Sequence, residues 1–359
     1  MKKLISILLL LITSTALACE NVNFYEDHPL INQLPIQNQG ALNTCYAQTL
    51  SNVYNLEFAR DNDDVVDPYW IAFNHKVHGF HWQPRKLDYS LMSLAWNDLR
   101  KNGYCDVAYL KPVYEGLKKG TNYSNDQLFY LLTEFFKTKN LLTAKTYLGF
   151  YMTINRLMTK LAKESNHAFE IPWKREDLIS ILFPLRQEAH RLSLFTWMES
   201  KVFKSCRESA VFKPTETLIS IGRNKEHNDT LAIVTEALLA QKRSISLGFC
   251  AKILKDPKVD ISITPRLLKA LKPNCGAHYV TLVGSRKKAN SCQYLVRNSY
   301  GKTFWAHQDY TCYCKDKASG KNRDCAKSES SNPNLEVLGC WVDKEKLLTN
   351  SYDISYFRK

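Results

Sequence analysis

The chain has 359 residues, 45% of them hydrophobic, with 49 Lys and Arg against 35 Asp and Glu and a formal charge of +14. That balance suits acidic partners such as an envelope polymer, an anionic lipid surface or nucleic acid. The basic residues are dispersed, however, with no run of five or six, and no nucleic-acid-binding motif accompanies them. A solvated basic surface is the expectation, with no nucleic-acid partner.

Lys2 and Lys3, an apolar stretch from Leu4 to Ile12 broken by Ser6, and Ala16-Leu17-Ala18 read as an export leader over residues 1–18. Losing the two lysines takes the charge to +12. Cys19 follows directly, so a lipid anchor there is the competing reading, weakened by Ala16 where such signals favour leucine. No later run approaches the ~20 apolar residues of a membrane helix, and a secreted or periplasmic protein without an integral membrane segment is expected. Export makes disulfides the default for the ten cysteines other than Cys45. Their connectivity stays open, although Cys312 and Cys314, two apart in C-Y-C, call for two different partners. C-Y-C without a C-x2-C spacing or paired histidines argues against zinc.

Helical signals fill the first two thirds. Cys45 to Asp61 is apolar and helix-like, and Leu87 to Gly103 carries Leu91, Leu94, Ala95 and Leu99 at helical spacing before Asn102-Gly103 stops it. In the middle, Asn125-Asp126 can cap Gln127 to Thr138, Leu141 to Glu164 is a second candidate, and Arg175 to Ser200 a third, with Pro172 and Pro184 as interruptions. Leu128, Leu131, Leu132, Phe135 and Phe136 form one stripe. It reads as packing between helices, and alternatively as a lid or partner-docking surface. Short apolar strands follow at Ser244 to Phe249, Tyr279 to Ser285, Gln293 to Asn298 and Leu338 to Val342, with a Cys-rich loop from Thr311 to Gly339.

Three blocks carry chemistry. Gln39 stands six positions before Cys45 in P-I-Q-N-Q-G-A-L-N-T-C-Y, His278 lies in C-G-A-H-Y-V-T-L-V-G, and Asn298 in V-R-N-S-Y-G. Each group suits one task of thiol acyl transfer. A cysteine opening a helix is favoured as thiolate by exposed N–H groups and the macrodipole. A histidine takes the proton, an asparagine orients the ring, and a glutamine amide donates to the oxyanion.

Together the blocks resemble the papain family of cysteine peptidases, in the Q-N-Q-G-x4-C-Y spacing, in a small residue plus His entering an apolar strand, and in N-S-Y-G where the family usually has N-S-W-G. The resemblance implies an α+β, two-lobed fold: a helical half over 19–116, an inserted helical region over 117–242, and a β-barrel half over 243–359. Val66-Asp67-Pro68-Tyr69-Trp70 resembles the family segment that starts the helix after the central one. By the same resemblance Cys45, His278, Asn298 and Gln39 are nucleophile, base, orienter and oxyanion donor, Tyr279 and Tyr300 line the substrate site, and no cofactor or metal is needed.

The chain departs from the family at several points. Leu42-Asn43-Thr44 replaces the residues usual before the nucleophile, and His278 and Asn298 follow it by 233 and 253 residues, against the usual separation of about 130–150. There is no Gly-Gly pair between Cys45 and Cys105. Tyr279 replaces a small residue and should narrow the pocket, and Tyr300 replaces the tryptophan that shields the His–Asn bond. The expected activity is an exported, bacterial-type thiol endopeptidase acting on protein or peptide substrates. A thiol amidase or transferase working on cell-envelope peptides, and a catalytically silent papain-like binding protein, are the alternatives.

Overall fold

The computed structural model describes residues 19–39, 42–61, 64–78, 91–105, 107–137, 147–165, 172–189, 192–204, 206, 212–222, 228–256, 275–301 and 308–358. The leader over 1–18, Gly40 of the first block and the beginnings expected for two helices at Leu87 and Leu141 lie outside them.

Helix α1 (Cys45–Phe58) is the axis of the molecule, with Cys45 to Leu56 buried without interruption. A helix enclosed on every side has no solvent face for its polar residues, so their hydrogen bonds must be internal. Ser51 Oγ donates to the Val66 carbonyl (2.6 Å), Asn55 Oδ1 accepts from Val66 N–H (2.8 Å), and Asn52 Nδ2 donates to Gln37 Oε1 (3.1 Å). These bonds pin the Val66-Asp67 turn, which starts α2 (Pro68–His78). Asp67 Oδ1 accepts from Trp70 N–H at 2.8 Å, an N-cap worth about 0.5–2 kcal/mol, and Pro68 occupies the first helical position where its missing N–H costs nothing. Next, α3 (Met92–Asn102) stops at Gly103, whose φ of 81° suits glycine and whose N–H returns to the Leu99 carbonyl.

The middle of the chain gives α4 (Val107–Lys118), α5 (Asn125–Lys137), α6 (Tyr147–Ser165), α7 (Arg175–Ala189, with Pro184 inside it) and α8 (Leu194–Met198), which runs into a π-helical turn at Glu199–Phe203. The expected single helix from Arg175 to Ser200 is therefore broken, with Ser193 Oγ capping α8 through Thr196 N–H. The cap of α5 also differs from expectation. Ser124 Oγ accepts from Gln127 N–H (3.2 Å) while Gln127 Oε1 accepts from Ser124 N–H (3.0 Å), a reciprocal capping pair that leaves Asp126 for other work. The α5 stripe is core: Leu128, Phe129, Leu131, Leu132 and Phe135 have no exposure and share one cluster with α1 and α2. Stripping that helix away would expose side chains worth about 1.5–3 kcal/mol each, which rules out a detachable lid for α5.

Nine strands among the described residues form one antiparallel sheet in the order β2-β9-β3-β4-β5-β8-β6-β7, with β1 beside β4. They are β1 (Val22–Asn23), β2 (Thr217–Gly222), β3 (Ile245–Cys250), β4 (Ala277–Lys288), β5 (Ser291–Arg297), β6 (Thr311–Asp316), β7 (Asn322–Ala326), β8 (Leu335–Asp343) and β9 (Ser351–Arg358). The fold is thus α+β, a helical half and a strand half meeting along α1. Three features went beyond expectation: β2 comes from the segment read as helical, β9 was not foreseen, and the Cys-rich loop is the β6–β7 hairpin. Cys314–Cys325 staples that hairpin and Cys312–Cys340 ties it to β8, the two separate partners that C-Y-C required. Cys19–Cys292, Cys105–Cys206 and Cys250–Cys275 complete the set, and Cys45 is the free thiol. Cys19 bonded to Cys292 has no sulfur left for a lipid. No helix among the described residues is long and apolar enough to cross a membrane.

Candidate active site

The site assembles where α1 begins against β4. Thr44 makes no side-chain cap to α1, so the first N–H groups of the helix, which lack intrahelical partners, turn to the thiol. Backbone N–H groups of Tyr279 on β4, of Tyr46 and of Cys45 itself favour the charged form of the Cys45 thiol. Tyr279 is the neighbour of His278 on β4.

β4 lies antiparallel to β5 with Thr281 opposite Arg297, and the chain leaving β5 delivers Asn298 alongside His278. His278 Nε2 lies 2.7 Å from Asn298 Oδ1. That oxygen also accepts from Ser299 N–H at 2.8 Å, which fixes the amide orientation and makes Oδ1 an acceptor for both. Nε2 therefore carries the imidazole proton, and the lone pair sits on Nδ1. Tyr300 Oη is 3.3 Å from Nδ1, but the two rings are parallel within 6° at 4.4 Å. That approach crosses the ring face, and the in-plane lone pair remains available.

Gln39 comes from the loop before α1. Its N–H donates to the Ser299 carbonyl (2.8 Å), and Ser299 Oγ donates to Gln39 Oε1 (2.6 Å). The second bond sets the carbonyl end of the amide against Ser299, with the N–H2 end turned away from it. A bridge between Asn38 and Tyr300 and a bond from Gly301 N–H to the Gln37 carbonyl (2.9 Å) zip this loop to the strand half. Gly301 has φ of 67°, and a Cβ there would meet the Asn38 amide at 2.8 Å, so only glycine allows the approach. Arg297, 1% exposed, anchors the same loop from below: Nη1 donates to Tyr25 Oη (2.8 Å), Nη2 to the Leu34 (2.8 Å) and Pro35 (2.9 Å) carbonyls.

Burial acts on both reactive groups. It pushes the Cys45 thiol up to about 11, offset in part by the three N–H groups, and takes His278 down to about 4 against the pull of the Asn298 bond. Neither can be charged alone at neutral pH; proton transfer charges both at once and keeps the pair neutral overall.

Tyr279 is buried, its hydroxyl donating to Asp353 Oδ2 at 3.1 Å and its ring edge-on to Tyr352. Tyr352 Oη in turn donates to the His278 carbonyl (3.2 Å). Burial lifts Asp353 to about 7. Gly248 makes room: a Cβ there would lie 1.9 Å from Asp353 Oδ1. Of the six residues singled out in the sequence, His278 touches Asn298 and Tyr300, Gln39 joins them through Ser299, and Cys45 lies against the backbone of Tyr279. Sequence reasoning missed Ser299, Arg297, Tyr352 and Asp353. The first two adjoin Asn298 in V-R-N-S-Y-G and were within reach of it; nothing in the sequence ties Tyr352-Asp353 to the site. Among the described residues no group of three His, Cys, Asp or Glu could hold a metal ion.

No family model and no curated protein matches the chain. Solved structures do. One, from work on the mite allergens Blo t 1 and Der p 1, is 9% identical with a TM-score of 0.41, covering 95% of this chain and 71% of that one. Digestive procathepsin L 3 of Tenebrio molitor larval midgut is 9% identical with a TM-score of 0.40, over 96% and 70%. The ragweed pollen allergen Amb a 11, a cysteine protease in its proform, is 11% identical with a TM-score of 0.41, over 95% and 66%. The chain is similar to these at low identity, and the case for function rests on the residues of the cleft.

Proposed function

We propose that the protein is a papain-like thiol peptidase that hydrolyses peptide bonds through an acyl-enzyme on Cys45. The observation that carries this reading is the fixed tautomer of His278: Nε2–H is committed to Asn298 Oδ1, itself locked by Ser299 N–H, so Nδ1 is a base. A histidine with only a packing role has no need of an oriented orienter beside a free thiol at a helix N-terminus.

In the reaction the Cys45 S–H proton passes to His278 Nδ1 as sulfur bonds to the substrate carbonyl carbon. The carbonyl oxygen becomes an oxyanion, which takes hydrogen bonds from the Gln39 N–H2 and backbone N–H of the first turn of α1. Collapse breaks the C–N bond, and the imidazolium gives its proton to the departing amine. Water, deprotonated by the same nitrogen, then releases the acid and restores the thiol. Tyr300 stacks on one face of the His278 ring and shields that face from water.

Export to an oxidising compartment belongs to the same proposal and is supported by the five disulfides. A second reading, an amidase or transferase acting on compact cell-envelope peptides, is favoured by the wall of Tyr279 and Tyr352 beside Cys45. Mass analysis of the products separates the two, since transfer leaves the acyl group on an amine and hydrolysis leaves it as an acid. The primary test compares peptide hydrolysis by wild type and Cys45→Ala after both are shown to fold. The proposal expects no turnover above background in the variant; equal rates would refute it.

A further inference from the structure

The loop bearing Gln39 is gripped from two sides. The strand half holds it through Gln39 N–H on Ser299 and the Gln37 carbonyl on Gly301 N–H. Between these, Asn38 N–H points the other way, as alternate amides of an extended chain do, and donates to Asp126 Oδ2 of α5 at 3.2 Å. Asp126 has no part in capping its own helix, because Ser124 and Gln127 already cap it. Its other oxygen takes the hydroxyl of Tyr69 on α2, and Tyr69 stacks on Phe129 of α5 at 4.0 Å. The carboxyl is thus held by two helices and aimed at the peptide immediately before the oxyanion donor.

On the peptidase reading above, we propose that Asp126 is a positioning residue for the Gln39 oxyanion donor: the middle helical segment supplies the second jaw of the clamp that sets the Gln39 amide. A displacement of about 1 Å in such a donor can cost on the order of 10²-fold in rate, so the clamp is read in kcat rather than in substrate binding.

The test is steady-state hydrolysis of a fluorogenic peptide by the full chain carrying Asp126→Ala, Asp126→Asn, Gln39→Ala and the Gln39→Ala/Asp126→Ala pair, each checked for folding by thermal melting. Asp126→Ala should lower kcat about 10- to 10²-fold with KM nearly unchanged. Asp126→Asn should recover most of the loss, since its amide oxygen still accepts from Asn38 N–H. In the Gln39→Ala background the Asp126→Ala change should cost almost nothing, because the donor it positions is gone. Equal losses in the two backgrounds, or an Asn variant as poor as Ala, would overturn the inference. Should Asp126→Ala fail to fold, Tyr69→Phe keeps the ring stack, removes the second anchor of Asp126, and must show the same dependence on Gln39 or the inference falls. An inactive wild type would remove the peptidase reading and this inference with it; an active wild type with additive losses removes the inference alone.

Discussion

Ser299→Ala is a small change with a large consequence if the amide of Gln39 works as described. The hydroxyl donates to Gln39 Oε1 at 2.6 Å, and both residues are 2% exposed. Its loss leaves a buried acceptor unmade, which costs about 1–3 kcal/mol. In a chain of this size that lowers Tm by only a few degrees, so the variant should fold. The hydroxyl could also accept from the N–H2 end, so about 1–3 kcal/mol, a preference of about 5- to 150-fold at roughly 1.4 kcal/mol per decade, is the most by which this bond favours the observed orientation of the amide. Without it the carbonyl end can turn toward the oxyanion. If the two orientations become equal, kcat falls about twofold; if the wrong one wins, the loss approaches the roughly 10²–10³ of removing an oxyanion donor. Peptide hydrolysis of Ser299→Ala, alone and with Gln39→Ala, reads this directly. The double variant should match Gln39→Ala. Gln39→Glu, which keeps an acceptor for Ser299 but sets a carboxylate oxygen against the oxyanion, should fall below Gln39→Ala. A folded Ser299→Ala with wild-type kcat and KM would refute the argument.

Arg297→Met fills a similar volume but abandons three acceptors, Tyr25 Oη and the Leu34 and Pro35 carbonyls. Urea unfolding should show a loss of about 3–5 kcal/mol, and a change under 1 kcal/mol would mean that the guanidinium is not the anchor of the loop. Stability should also depend on pH through buried groups. Asp353 is raised to about 7 and Asp126 to about 8 by burial. Their folded forms hold protons that the unfolded chain releases near its ordinary carboxyl range, so this stability is full below about pH 4 and is lost progressively as pH climbs to about 7 for Asp353 and about 8 for Asp126. His278, lowered to about 4, works oppositely: its contribution is full above about 6.5 and is lost as pH falls toward 4. With two carboxyls against one imidazole, Tm should therefore decline from about pH 4 to about 8, and Asp353→Asn should flatten the part below about 7; a slope there unchanged by the substitution would show that Asp353 does not hold its proton.

Much of this arrangement was legible because its chemistry is local. Cys45 opening a helix, Gln39 six residues earlier, and His278 on the second residue of β4 are placed by short-range patterns, and the helix stop at Gly103 by its backbone conformation. The pairing of Asn298 with His278 needed only adjacent strands. What escaped the sequence depends on long-range packing. Asp126 looked like a cap because Asx residues before an apolar run usually are one, yet Ser124 with Gln127 had the better geometry. β2 was hidden in a segment of helical periodicity since Thr217 to Gly222 becomes a strand through its register on β9. Tyr352 and Asp353 enter the site through β9, and their place is set by the close approach of Gly248, which no local signal announces.

The central claim, that His278 activates Cys45, is tested most directly by the rate of Cys45 alkylation with iodoacetamide across pH, followed by mass spectrometry on the non-reduced protein. Wild type should be compared with His278→Ala. A thiol held up to about 11 by burial and left without a base should react only at strongly alkaline pH. If the imidazole takes the thiol proton as sulfur attacks, wild type will label near neutral pH, well below the range of the unassisted thiol, and His278→Ala will not. Superimposable profiles in the two proteins, both rising only at alkaline pH, would contradict the account.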